Sequence, residues 1–149
     1  MQVKIDVNMD VSKLTKQFED LKNDNVMYQI HDLFAKMCDP YVPMYEGVLS
    51  QGVQIEKDKV IYPPPYAHYQ YIGEVYGPNI PIFEDGVLVG FFSPPGQKKH
   101  PTGRPINYNK EKHPLATKEW DKAMMDARGE EFLKYVKDIL MQRCKELYG

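Results

Sequence analysis

Polar and apolar positions alternate at the start of the chain. In "QVKIDVN", Val3, Ile5 and Val7 recur every second residue, which predicts a strand over residues 2–8. From Ser12, a suitable N-cap, the spacing lengthens to that of a helix, with Leu14, Phe18 and Leu21 on one face. Val26, Ile30, Leu33 and Met37 resume the period on a shifted face. The pattern predicts one long helix with a break at 23–25, "NDN", where short polar side chains compete for backbone hydrogen bonds. Pro40 ends it, because the residue before a proline avoids the helical region.

The next segment, "DPYVPMYEGVLSQG" (39–52), carries two prolines and two glycines and is irregular, with one short helical turn expected at Val48 and Leu49. Residues 53–62 read as a hairpin. Val53, Ile55, Val60 and Tyr62 face one way, and the charged "EKDK" forms the turn. The stretch "YPPPYAHYQYIGEVYG" (62–77) follows, with its three consecutive prolines preceding a helix start. At helical spacing Tyr66, Tyr69, Gly73 and Tyr76 share one face. This reading assigns that stripe to packing, with Tyr69→Ala costing about 3 kcal/mol. It leaves His68 and Tyr71 to face a partner. A strand would instead group Tyr69, Tyr71 and Gly73, but Ala67, Gln70 and the prolines favour the helix.

Residues 80–92, "IPIFEDGVLVGFF", form a second hairpin, with Asp85 and Gly86 as a turn that needs positive φ. Residues 93–105 are rich in proline and glycine and too polar for a core, so a long surface excursion is expected. Such loops are usually functional or disordered. From Pro114 onward the chain reads as helical. Trp120, Ala123 and Met124 make one stripe, and Leu133, Val136, Leu140, Cys144 and Leu147 another, with a bend allowed at Gly129. These elements predict an α+β fold. A small antiparallel or mixed sheet of hairpins packs against a long N-terminal helix and C-terminal helices, with a long basic loop inserted. A single domain spans 1–149, with 78–113 as hairpin and loop insertion and 114–149 as C-terminal helical segment.

Length and composition suit that reading. A chain of 149 residues, 42% hydrophobic and 27% charged, can bury a real core. No apolar run approaches the ~18 residues of a membrane span, and the alternating N-terminus does not resemble a leader peptide. Synthesis in the cytosol is expected. Cys38 and Cys144 stand alone near opposite ends, without metal-ligand spacing. Reduced thiols are expected, since a disulfide would require the terminal helices to meet in an oxidising compartment. The net charge of −2 hides an asymmetry: residues 97–113 carry +4 and the remainder −6. That loop holds Lys98, Lys99, His100, Arg104, Lys110 and Lys112, and suits an acidic partner surface or a phosphate backbone.

Candidate chemistry is sparse. There is no HExxH, GxSxG, Walker loop or GxGxxG motif, and no paired carboxylates stand out. No catalytic residue, metal or cofactor is expected, although a Cys38 pairing with His31 or His68 depends on a fold that spacing does not give. Nucleic-acid binding could use tyrosines and lysines together, but the two groups lie about thirty residues apart, and the basic excess is modest. An assembly protein accommodates the pattern best, because tyrosine offers wide contact area with a polar tip.

Three segments in order, "DPYVPMYEGVLSQG", "VIYPPPYAHYQYIGEVYG" and "HPLATKEWDKAM", resemble the minor capsid proteins of tailed phages and prophages of Gram-positive bacteria. The resemblance covers most of residues 12–127, with Pro40, Tyr41, Pro43, Gly47, Pro65, Tyr66, Tyr69, Gly73 and Trp120 as its structural positions. Where the family commonly has a hydroxyl residue before the glycine, this chain has Glu46. The resemblance extends to neck and tail-completion proteins. It implies a non-enzymatic virion protein, assembled in the bacterial host cytoplasm, that forms a ring with copies of itself. Such a ring would contact head-connector and tail proteins, leave a channel for double-stranded DNA and have no membrane role. The expected contact residues are His68, Tyr71, Phe83, Val87, Val89, Phe91 and Phe92, with the basic loop meeting an acidic neighbour or DNA.

Overall fold

The computed structural model describes residues 1–7, 21–43, 52–63, 66–78 and 80–148. The expected helix over 12–20, the turn at Val48 and Leu49, and positions Glu46, Gly47 and Pro65 lie outside the described residues, as does the side chain of Tyr66. The fold is α+β, and among the described residues every strand pair is antiparallel.

The first described helix, α1, spans Asp24–Cys38. Asn23, expected to break a longer helix, starts this one: its backbone is extended and its side-chain oxygen accepts from the Val26 N–H at 2.9 Å. The competition that weakens asparagine inside a helix is what makes it a cap. Pro40 ends the helix as expected, within a 3-10 turn over Asp39–Tyr41.

The N-terminal strand β1 (Gln2–Val3) and the hairpin β2 (Gln54–Ile55) and β3 (Val60–Ile61) form one sheet in the order β1-β3-β2. Of the described residues in the expected strand, only Gln2 and Val3 pair, yet the alternation holds, with Val3, Ile5 and Val7 packed against the core. In the hairpin, Ile55 lies opposite Val60, and Val60 and Tyr62 are buried, as their spacing predicted. His31, buried in α1, ties this sheet to the helix. Its Nε2 accepts from the Ile5 N–H at 3.1 Å, so Nδ1 carries the hydrogen and donates to the Met27 carbonyl at 2.8 Å.

A long C-terminal helix, α3 (Trp120–Tyr148), packs against α1. It begins at Trp120, not Pro114, and its backbone leaves helical geometry at Arg128, beside the bend expected at Gly129. Trp120 and Met124 are fully buried, and Phe132 and Val136 follow on the same side. The expected second stripe is half a face off. Val136 is core and Leu140 packs against it, but Leu133, Leu147 and Cys144 are exposed. Phe132 takes the core position instead, edge-on to Phe34 at 5.7 Å.

The tyrosine segment departs most from expectation. Helix α2 covers only Tyr66–Ile72, and strand β4 (Glu74–Gly77) follows at once. Gly73 sits between them at φ +78°, where a Cβ would meet the Lys118 Cβ at 2.7 Å and the Tyr108 hydroxyl at 3.0 Å. Glycine is needed there for its conformation and for the close approach. Tyr76 is therefore not on a helical face with Tyr69. Tyr71, set aside as partner-facing, packs edge-on to Trp120 at 5.1 Å and joins the core, and Tyr62 meets the same indole at 5.1 Å. We expect Tyr71→Ala to lower stability by about 3 kcal/mol and Tyr69→Ala by less than half of that. Thermal melts of the two variants compare them directly, and equal losses would contradict this packing.

Candidate assembly interface

Two further antiparallel pairs stand apart from the core. Strands β5 (Ile80–Glu84) and β6 (Val87–Phe92) form the second hairpin, joined by Asp85 and Gly86 at φ +50° and +79°. The Asp-Gly signal thus marks a real turn with positive φ at both positions. The pairing runs from Ile80 opposite Phe92 to Glu84 opposite Val87, with an irregularity between Ile82 and Phe83 that leaves Val89 unpaired. Their main packing among the described elements is against each other.

Side chains alternate across a sheet, so register sorts them into faces. Pro81, Phe83, Leu88 and Phe91 share one face, and Ile80, Ile82, Val87 and Phe92 share the other. Eight large apolar side chains of this arm are between 41% and 63% exposed: Ile80, Ile82, Phe83, Val87, Leu88, Val89, Phe91 and Phe92. A solvated hairpin normally turns one polar face to water, and an isolated two-stranded hairpin is marginal alone. The arm thus presents apolar side chains to solvent on both faces, the kind of surface that in other proteins marks interaction sites.

The expected structureless loop contains a strand. Strand β7 (His100–Pro105) pairs with β4, placing His100 opposite Gly77 and Pro105 opposite Glu74. The Thr102 hydroxyl donates to the Val75 carbonyl at 2.5 Å, and the Gly103 N–H donates to a Glu74 carboxylate oxygen at 2.7 Å. The Ile106 N–H reaches the Gly73 carbonyl at 2.9 Å, and the Tyr108 hydroxyl reaches the Gln70 carbonyl at 2.6 Å. These bonds fix the loop on α2 and β4. Further on, His113 donates from Nδ1 to the Val42 carbonyl at 2.8 Å, holding the segment before α3 against the 3-10 turn.

The basic side chains divide. Lys98, Lys99 and His100 sit at the root of the arm, Arg104 lies along β7, and Lys110 and Lys112 follow it, all exposed. Exposed His68 and half-buried Tyr69 and Tyr76 form an aromatic group at the same root. The Tyr69 and Tyr76 rings are 4.9 Å apart, and the Lys99 ammonium lies 5.5 Å from the Tyr69 ring centre. Sequence spacing placed the tyrosines and the lysines far apart, and β4–β7 pairing brings them together. Pro40 and Tyr41 form the turn after α1, and Pro43 is buried.

The thiol chemistry left open by the sequence finds no support in geometry. Burial pushes the Cys38 thiol up to about 12, which keeps it protonated at neutral pH. Both nitrogens of His31 are already bonded, and His68 belongs to the aromatic group. Among the described residues no cluster of three or more His, Cys, Asp or Glu side chains could hold a metal ion, and no helix is long and apolar enough to cross a membrane.

No curated protein and no solved structure matches the chain. A family model for minor capsid proteins matches residues 3–86, from β1 to the tip of the exposed arm. The chain belongs to the minor capsid protein family of phages.

Proposed function

We propose that this structural virion protein acts in the neck, as a ring-forming subunit that joins the DNA-filled head to the tail. The observation that carries this reading is the β5–β6 arm, apolar on both faces and uncovered, beside an exposed basic strand. A ring subunit needs two contact surfaces, one for each neighbour, and each standard interface takes about 800 Å² per partner. Phe83, Val87, Val89, Phe91 and Phe92 supply the apolar contact area, and His68 lies exposed at the root. Lys98, Lys99, Arg104, Lys110 and Lys112 face an acidic head-connector or tail protein. A conducting channel favours weak and numerous contacts over strong phosphate binding, which argues for the protein partner. Assembly takes place in the bacterial host cytoplasm.

The root of the arm also gives a second reading a specific basis. Tyr69 and Tyr76, whose rings meet at a tilt of 53°, with Lys99 beside Tyr69, offer aromatic faces and a cation to a nucleic-acid strand. One experiment separates the two. The purified chain is mixed in turn with each protein encoded beside it, and with labelled DNA over a range of salt. A defined complex with a connector or tail protein supports the neck reading. If no protein partner binds, and DNA affinity falls steeply with salt, the neck reading fails in favour of nucleic-acid binding.

A further inference from the structure

His31 is fully buried, and two backbone groups fix its ring. The Ile5 N–H donates to Nε2 at 3.1 Å and so occupies the ring's lone pair. Nδ1 carries the hydrogen and donates to the Met27 carbonyl at 2.8 Å. Only the neutral imidazole satisfies both bonds, because it has one donor and one acceptor, whereas the charged ring has two donors. A proton added at Nε2 would set one N–H against another and place a cation out of reach of water. The strand held by this bond has little else to hold it. In β1, Gln2 pairs opposite Ile61 and Val3 opposite Val60, and the Met1 carbonyl accepts from the Tyr62 N–H at 3.1 Å. We propose that His31 is an acid-sensitive latch on the N-terminal segment, residues 1–7. Neutral, it holds the segment against α1; protonated, it lets the segment go.

Both partners of the ring are backbone groups, and among the described residues no carboxylate forms an ion pair with it. On the segment itself Lys4 and Asp6 are exposed, and Asp6 pairs with Lys22 at 3.4 Å. On α1 the adjacent Asp32 pairs with Lys36 at 2.7 Å, and the buried Cys38 thiol lies two turns further on. Between the segment and α3, Lys4, Asp121, Lys122 and Asp126 border a groove whose apolar wall includes Val3, Ile5, Phe34 and Phe132. Lys122 pairs with Glu119 at 3.2 Å. The stretch of α3 that buries Phe132 and Val136 leaves Lys134, Lys137 and Asp138 exposed. The β2–β3 hairpin keeps Glu56, Lys57 and Asp58 exposed at its turn, with Lys59 paired to Glu56 at 3.6 Å. A buried imidazolium without a partner is costly, and opening the segment that lies against it gives it water. The released state therefore binds one proton more than the docked one. Docking is at full strength above the ordinary histidine range, about 6.5, and weakens as pH falls through it. The ratio of released to docked segment should rise about tenfold per pH unit below that range. Release frees one edge of β3 and uncovers the groove wall at Phe34 and Phe132. It does not depend on where in the virion the chain works.

Nitrogen NMR of the isotopically labelled full chain tests this. At pH about 7.5 the His31 ring should carry its hydrogen on Nδ1, with Nε2 unprotonated. As pH is lowered to about 5.5, the amide signals of residues 1–7 should move to free-chain positions in step with the His31 ring. Amides of α1 and α3 should keep their positions. Carboxylates titrate lower, at about 4, so loss of the Asp6–Lys22 pair falls outside this window. His31→Gln offers a carboxamide oxygen to the Ile5 N–H and takes up no proton, so its segment should stay docked over the whole range. A ring hydrogen on Nε2 at neutral pH overturns the proposal. So does a segment that stays docked after His31 is protonated, or a His31→Gln segment that leaves at the same pH as wild type. None of these results depends on binding to a particle protein, so the neck reading is tested separately.

Discussion

Replacing Trp120 with alanine is expected to remove about 4 kcal/mol of stability, the upper part of the range for truncating a buried aromatic. Its indole is fully buried where α3 begins, with Tyr62 and Tyr71 both edge-on to it at 5.1 Å. Those rings come from β3's exit and from α2, so one side chain joins three elements that share few other contacts. The cavity could close only by moving all three, and a site that collapses poorly sits at the costly end of the range. For a domain of this size each kcal/mol lowers the melting temperature by about 3 °C, so a calorimetric scan should show a drop near ~12 °C. A drop of only one or two degrees would mean that the tyrosines repack and that Trp120 is not the joint.

The second large effect is expected at Gly73. Gly73→Ala should cost about 3 kcal/mol, combining a left-handed backbone of roughly 1–2 kcal/mol with a steric clash. The added Cβ would stand 2.7 Å from the Lys118 Cβ, which is fixed close to its backbone and cannot swing aside. The damage should also be directional. The Gly73 carbonyl accepts from Ile106 and its N–H donates to Tyr69, so displacement there loosens β7 and the basic strand before it reaches the α1–α3 core. Hydrogen exchange should show lost protection at Ile106 and in β4 while α1 amides stay protected. Uniform loss across the chain would contradict this division.

How legible these features were depended on the kind of force that made them. The Asp85 and Gly86 tip was readable because a tight turn with two positive φ values leaves few residue choices. Val60 and Tyr62 were readable because a two-residue period has one solution. The tyrosine segment was not, because helical and strand spacings overlap over so few residues and Gly73 switches from one to the other. In α3, apolar side chains cover too wide an arc for periodicity to choose between Phe132 and Leu133. Strand β7 was invisible, since "HPTGRP" has no apolar alternation and is held by Thr102 and Glu74 side-chain bonds. The His31 clamp gave no signal either: a histidine in a helix reads the same whether it faces water or accepts from a distant backbone amide. For the arm, sequence reasoning singled out Phe83, Val87, Val89, Phe91 and Phe92 and passed over Ile80, Ile82 and Leu88, which are also exposed. What stayed hidden was that both faces are bare and that the Lys99–Tyr69 contact joins two segments thirty residues apart.

The core is assembled from the two ends of the chain, α1 against α3, and this sets an order of events at the ribosome. The part of α1 that packs against α3 cannot be covered until residues beyond Trp120 have left the exit tunnel. About eighty residues separate the two helices, so synthesis at about 5–20 residues per second leaves α1 waiting on the order of ten seconds. The arm emerges inside that interval. Every nascent chain therefore carries a half-covered helix and an exposed ribbon together, and neighbouring chains on one polysome would hold both at high local concentration. Slowing the codons after residue 92 should lower the soluble yield without changing a single contact in the finished protein.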